Sequence, residues 1–331
     1  MLNALNIGGA PGLLPIKLPI ETITRMSWFD TFMSYPPVRS MLPVPLIIAI
    51  APVVWLFFRS TWSDLDLEAA DYRARLARNN RFDTRPLVCL IIVAISLTVQ
   101  EYYGGRKLYD TVIRPWLQQL EAGGWHRIHL AQFDDFYGYA WWVISRILGY
   151  VVFPFPIWKM LYPRDSLLDL GLRIRGFSRH IWIYGACLAV VVPAMLIVAS
   201  QPDFGTYYPF YKLSSRSWYD LILWESIYFV QFFALELFFR GFVVGTLRRS
   251  LGATAIFAMA VPYCMIHYGK PYLEAHGAIV AGVVLGSLSA KTRSIYAGFL
   301  VHITVAFSMD FLALWHRHAL PTVFMPAFGG P

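Results

Sequence analysis

Apolar residues along this chain gather into eight stretches, each close to the length that crosses a bilayer. A spanning helix takes about 20 mostly apolar residues. The stretches run over residues 42–58, 86–103, 136–158, 180–200, 218–246, 252–268, 275–290 and 295–315. The pattern predicts an all-α fold, a polytopic transmembrane helix bundle of about eight spanning helices. Stretch 275–290 is short enough for a partial span, and 218–246 is long enough to tilt or to pass the membrane surface. Residues 1–41, broken by Pro and Gly, are expected to form an irregular interfacial lead with Trp28 and Phe29 as anchors. They lack the basic start and continuous apolar core of a cleavable signal peptide. Segment 104–135 is expected to hold an amphipathic piece lying on the membrane, and 201–217, rich in Tyr, Pro and Ser, a polar loop.

Composition agrees with this picture. Of 331 residues, 57% are hydrophobic and 15% charged, against about 25% charged in soluble chains. Aromatics reach 17%, and such rings favour the membrane–water interface. The formal charge of +8 sits between the apolar stretches, where it sets topology and meets anionic lipid. The expected partners are therefore membrane lipids, not nucleic acid. Four basic segments fall on one side if all eight stretches span: Arg59 to Arg85, Lys159 to Arg179, Arg248 with Arg249, and Lys291 with Arg293. That side is expected to be cytoplasmic, with both termini outside. Cys89, Cys187 and Cys264 all lie in apolar stretches, with no CxxC, so neither a disulfide framework nor a thiolate metal site is indicated.

Ionisable groups inside apolar helices carry the functional information, since each costs a few kcal/mol at the bilayer centre on insertion scales. In FALELFFRG, Glu236 and Arg240 stand four apart and share a helix face. They read equally as an internal ion pair or as a carboxylate held by an arginine beside a reaction centre. Glu225, three turns earlier, shares that face nearer the outer end, where hydration would satisfy it. His267 ends YCMIH, where a histidine is either hydrated or functional. Gly298, His302, Ala306 and Asp310 recur every four residues, placing a His and an Asp on a face of small residues. Glu274 opens another small-residue face with Ala278, Gly282 and Gly286, which suits close helix packing; a carboxylate is favoured at that helix start. A membrane-embedded Glu with two His can activate water and stabilise an oxyanion. The same three residues, Glu236, His267 and His302, would be the ligands of a zinc ion if one is used, although the HExxH helix of common zinc proteases is absent.

At these residues the chain resembles the CPBP family of intramembrane CAAX-processing and bacteriocin-processing proteases, also called Abi. The resemblance covers roughly residues 165–312. It rests on ELFFRG from Glu236 to Gly241, YCMIH ending at His267, and His302, with LLDLGLRIRG (Leu167 to Gly176), GKPYLE (Gly269 to Glu274) and the TRSI turn (Thr292 to Ile295) in support. It divides the chain into an N-terminal membrane region, 1–160, and a protease core, 161–331. Three positions depart from the family pattern. Leu235 stands where the first of two adjacent glutamates is usual, Tyr263 where Phe is usual, and Ala306 where Asn is usual.

The resemblance implies an intramembrane endopeptidase that hydrolyses a membrane-associated peptide. Glu236 would be the general base, oriented by Arg240. His267 and His302 would position water and stabilise the oxyanion, and Asp310 would orient His302. Glu274 is the substitute base should Glu236 point away from the histidines. No cofactor is required in this reading, with zinc as the alternative. The expected location is the multi-pass plasma membrane of a prokaryote. Two other functions fit the same groups: a non-catalytic immunity or scaffold protein on this fold, favoured by Leu235 and Ala306, and a proton-coupled transporter, which the lack of an inverted repeat disfavours.

Overall fold

The computed structural model describes residues 41, 43–125, 127–174, 181–199, 204–270 and 272–326. The expected interfacial lead, with Trp28 and Phe29, lies almost wholly outside them. The structure divides into two units, residues 1–48 and 49–331. Among the described residues the fold is helical without strands. The helices are α1 (Pro43–Arg78), α2 (Arg85–Tyr103), α3 (Arg114–Ala122), α4 (Leu130–Leu161), α5 (Ile181–Ala199), α6 (Trp218–Leu251), α7 (Thr254–Met265), α8 (Tyr272–Thr292) and α9 (Tyr296–His316).

Six of these, α1, α2, α4, α6, α8 and α9, are long and apolar enough to cross a membrane, and the protein is an integral multi-pass membrane protein. The apolar helix α7 is shorter, as is the continuously described part of α5, Ile181–Pro193. The 12 residues of α7 span about 18 Å, well short of an apolar core of about 30 Å. The helix stops at Met265, short of the end of the 17-residue apolar stretch 252–268, so His267 follows a turn and does not continue the span. At the other extreme, α1 has 36 residues, about 54 Å. Its apolar half ends near Arg59, but the helix does not. The arginine-rich stretch continues it as an arm laid along the bundle, with Leu65 and Ala69 buried.

Ion pairs tie the four basic segments together at one end of the bundle. Arg85 grips Asp165 through two hydrogen bonds of 3.0 and 3.1 Å, and Arg249 reaches the same carboxylate at 3.5 Å. Glu68 on the arm of α1 receives Arg293 at 2.7 Å and Arg248 at 3.7 Å. Asp66 accepts from the Ala253 backbone N–H at 2.8 Å, at the start of α7. Segments outside these four meet at the opposite end. Arg216 donates to the Gln132 carbonyl at 2.9 Å, Tyr139 to the Phe210 carbonyl at 2.6 Å and Arg317 to the Tyr208 carbonyl at 3.1 Å.

Helix α6 is the axis of the bundle: its apolar window is 72% buried, against 11–44% for the other spans. Being apolar on all sides, it suits a central position. Phe238, Phe239 and Phe242 are wholly enclosed. Tyr150 of α4 stacks on Phe238 at 4.8 Å, and Trp158 meets Phe242 edge-on at 5.3 Å, so the segments either side of residue 160 share one core. Ser217 caps the start of α6, its hydroxyl accepting from the Asp220 N–H at 3.1 Å. Over Leu237–Val243 the helix widens to i→i+5 hydrogen bonding, a local form that recurs at functional sites. Here Gly241 lets another chain segment press in, since a Cβ would overlap the Leu170 carbonyl oxygen. That segment turns at Gly171, whose φ of +93° suits glycine. The Gly171 carbonyl accepts from the Ile295 N–H at 3.0 Å. The stretch from Leu167 thus wedges α6 against the start of α9.

Candidate active site

Three helices deliver side chains to one point inside the bundle. Glu236 lies near the middle of α6, His302 lies two turns into α9, and Tyr263 and His267 come from the end of α7. Glu236 points at His302. His302 Nδ1 stands 2.7 Å from Glu236 Oε1, and the Glu236 side chain is 0% exposed against 16% for His302. Arg240 Nη1 lies 3.2 Å from the same oxygen and is equally buried. Neither approach is aligned as a hydrogen bond, so charge holds the cluster together. A buried pair of this kind is strongly destabilising to break, because the survivor is left uncompensated.

The other faces of these groups are also filled. Glu236 Oε2 packs against Gly298, where a Cβ would overlap it. Phe232, one turn before Glu236, stacks on the His302 ring at 5.1 Å and 14°. Arg240 lies over the Tyr263 ring at 3.8 Å, a cation–π contact strengthened by the lack of water. The Tyr263 hydroxyl meets His302 Nε2 at 3.0 Å. Its backbone carbonyl, freed by the end of α7, lies 2.8 Å from His267 Nδ1. A carbonyl only accepts, so Nδ1 carries the hydrogen and Nε2 of the neutral ring is a free lone pair. The His267 ring lies 4.6 Å from the Tyr263 ring and is partly accessible.

Asp310 and Glu274 lie elsewhere. Asp310 shares the stripe of His302 but stands two turns farther out, about 12 Å along the axis. Its carboxylate accepts from Trp224 Nε1 at 2.7 Å, and the buried carboxyl of Glu225 is its neighbour. Glu274 sits in the outer rim, paired with Lys270 at 2.5 Å and accepting from the Tyr208 hydroxyl at 2.5 Å. Burial beside that carboxylate pushes the Tyr208 phenol up from its ordinary range. Leu235 packs in the apolar core, and Ala306 sits among Tyr211, Trp224 and Tyr228.

The three candidate zinc ligands are not disposed as a ligand set. Glu236 is turned to His302 with the Arg240 cation against it, His302 Nε2 is taken by Tyr263, and His267 Nδ1 by a carbonyl. Among the described residues no group of three His, Cys, Asp or Glu side chains is placed to hold a metal ion. Two contributors carry little signal in the sequence. Tyr263 stands out only as the residue four before His267. Gly298 is one of a row of small residues, and nothing in the row marks it as the seat of a carboxylate.

No curated protein and no solved structure matches this chain. A family model does match: residues 217–308 fit the type II CAAX prenyl endopeptidase Rce1-like family, a stretch that takes in Glu236, Arg240, Tyr263, His267, Glu274 and His302 but not Asp310, and it is the CAAX-processing protease family that the motifs resemble.

Proposed function

We propose that this protein is an intramembrane endopeptidase that hydrolyses a peptide bond in a membrane-associated substrate without a metal ion. The observation that carries the reading is the enclosed Glu236–His302 pair at 2.7 Å, set beside a second histidine with a free Nε2. A charged carboxylate in a membrane bundle is expensive and is retained for pairing or function. Its negative charge stabilises an imidazolium at His302, so the pair takes up the proton that water loses on attack. Arg240 fixes the carboxylate. His267 Nε2 accepts a hydrogen bond from the attacking water and so orients it. Because Glu236 has no solvent contact, it acts as the base through His302 and not on water directly.

The complete burial of Glu236 with Arg240 also favours a second reading, a non-catalytic scaffold in which the pair is purely structural. Cleavage of a membrane-anchored peptide library by purified protein decides between them, with Glu236→Gln alongside and chelator present or absent. Cleavage by wild type alone, unchanged by chelator, is the expected result. Equal activity in Glu236→Gln would remove the pair from the chemistry, and loss on chelation would require a metal.

A further inference from the structure

Outward of the active site, α6 and α9 meet a second time. Glu225 of α6 and Asp310 of α9 are 5% and 1% exposed, and their carboxyls are in side-chain hydrogen-bonding contact. Asp310 Oδ2 accepts from Trp224 Nε1 at 2.7 Å. No donor among the described residues reaches Asp310 Oδ1 or either oxygen of Glu225. The titratable groups that face the pair bond elsewhere or leave those oxygens untouched. Lys212 donates to the Thr206 and Tyr207 carbonyls, and Arg317 to those of Ala313 and Tyr208. Tyr139 donates to the Phe210 carbonyl and Tyr208 to Glu274, while Tyr228 flanks the pair on α6. An ionised carboxylate only accepts hydrogen bonds. Two of them in contact inside a membrane bundle would repel. The contact is attractive only when one carboxyl carries a hydrogen for the other to accept. Because the two side chains touch directly, the species between them is a proton and not a metal ion.

We propose that Glu225 and Asp310 form a proton-binding site, holding one proton between them as a clasp of α6 against α9. The clasp stands independently of the proposed hydrolysis, but its effect on the active site rests on that reading. The two helices run antiparallel, and their other polar contact, Glu236 with His302, lies about 12 Å inward along α9. Fixing α9 at Asp310 therefore fixes the depth of His302 against Glu236, which makes Glu225 and Asp310 positioning residues. Loss of the proton leaves two facing anions, which push the helices apart and carry His302 with them.

The test uses the full chain in lipid nanodiscs, with wild type beside Glu225→Gln and Asp310→Asn. Each amide supplies a permanent donor to the remaining carboxylate and keeps the pair's single negative charge, so the contact no longer needs a proton. Infrared difference spectra in heavy water should show a buried carboxylic acid C=O band in wild type at neutral pH, lost on alkaline titration. The same band should be missing from both variants. An unfolded chain gives up its carboxyl protons above about pH 4, whereas the clasp retains one. Wild type should therefore lose Tm relative to Glu225→Gln as pH rises above that value, until the clasp itself titrates. At alkaline pH wild-type kcat should fall about 10²-fold, the usual effect of a misplacement of about 1 Å, and Glu225→Gln should escape this fall. A carboxylic acid band that survives either substitution, or parallel pH profiles of Tm in wild type and Glu225→Gln, would overturn the shared proton. Equal alkaline falls of kcat in the two proteins would overturn the positioning role. Cleavage absent from wild type, with the band and Tm as expected, would overturn the hydrolysis and leave the clasp standing.

Discussion

Gly298→Ala isolates the seat of the Glu236 carboxylate without touching an ionisable group. Alanine is favoured over glycine inside a helix by about 1 kcal/mol, so on α9 alone the change should stabilise. The added Cβ, however, would overlap Glu236 Oε2 and lie 3.2 Å from Cδ. The carboxylate must move outward by about the overlap, on the order of 1 Å, and it carries the contacts to His302 and Arg240 with it. Breaking such a buried pair outright costs about 3–5 kcal/mol. A partial displacement costs a fraction of that and roughly cancels the helical gain, so Tm should change by only a few degrees. Catalysis has no such compensation. A misplacement of about 1 Å lowers rates about 10²-fold, or about 2.7 kcal/mol of barrier. The expected signature is thus kcat down about 100-fold with KM and Tm nearly unchanged. Gly185 on α5 has no atom within 4 Å of an added Cβ, so Gly185→Ala should raise stability and leave kcat alone. A Gly298→Ala protein with a higher Tm and wild-type kcat would show that the carboxylate does not sit where the mechanism needs it.

Two further predictions concern the frame around the site. Burial raises the Asp165 carboxyl, but the two hydrogen bonds and charge of Arg85, with Arg249 beside them, outweigh it and hold Asp165 below the usual carboxylate range. Its stabilising contribution is therefore complete above about pH 4, the unfolded value, and fades as pH falls through the lower folded value. Asp165→Asn should lose about 2 kcal/mol at neutral pH and show a shallower acid limb in thermal denaturation; an unchanged acid limb would remove the pair from the stability account. Ser217→Ala deletes the cap of α6 and should cost about 1 kcal/mol, read as a lower Tm with unchanged KM, whereas a Tm equal to wild type would mean that the C-terminal carbonyls of Val323 and Phe324, which accept from the Trp218 and Tyr219 N–H groups at 3.0 and 2.9 Å, hold the helix start unaided.

How much of the site could be read from the chain follows from what periodicity encodes. Spacing four apart on one helix is local, and so the Glu236–Arg240 pair was legible as soon as its helix was. The same rule places Gly298, His302 and Asp310 on one stripe, yet a stripe specifies direction and not depth. Asp310 shares the direction of His302 and stands two turns away from it, against Trp224. Contacts between helices have no spacing to betray them, which is why the Glu236–His302 approach and the Tyr263 hydroxyl emerge only in three dimensions. Helix ends depart from the apolar runs where charge and helicity part company. The arginines after residue 58 end the apolar run but are good helix formers, so α1 runs on to Arg78. Helix α7 shows the converse: its apolar run reaches His267, but its helix stops at Met265. That early end has a chemical consequence. Past the last turn the Tyr263 carbonyl is released from helical pairing and takes His267 Nδ1 instead, leaving Nε2 as the free nitrogen beside the buried pair. A helix continued through His267 would reclaim that carbonyl for a backbone N–H four residues on and leave the tautomer unset, so the shortness of α7 is part of how the second histidine comes to present the free nitrogen that the proposed mechanism uses to orient water.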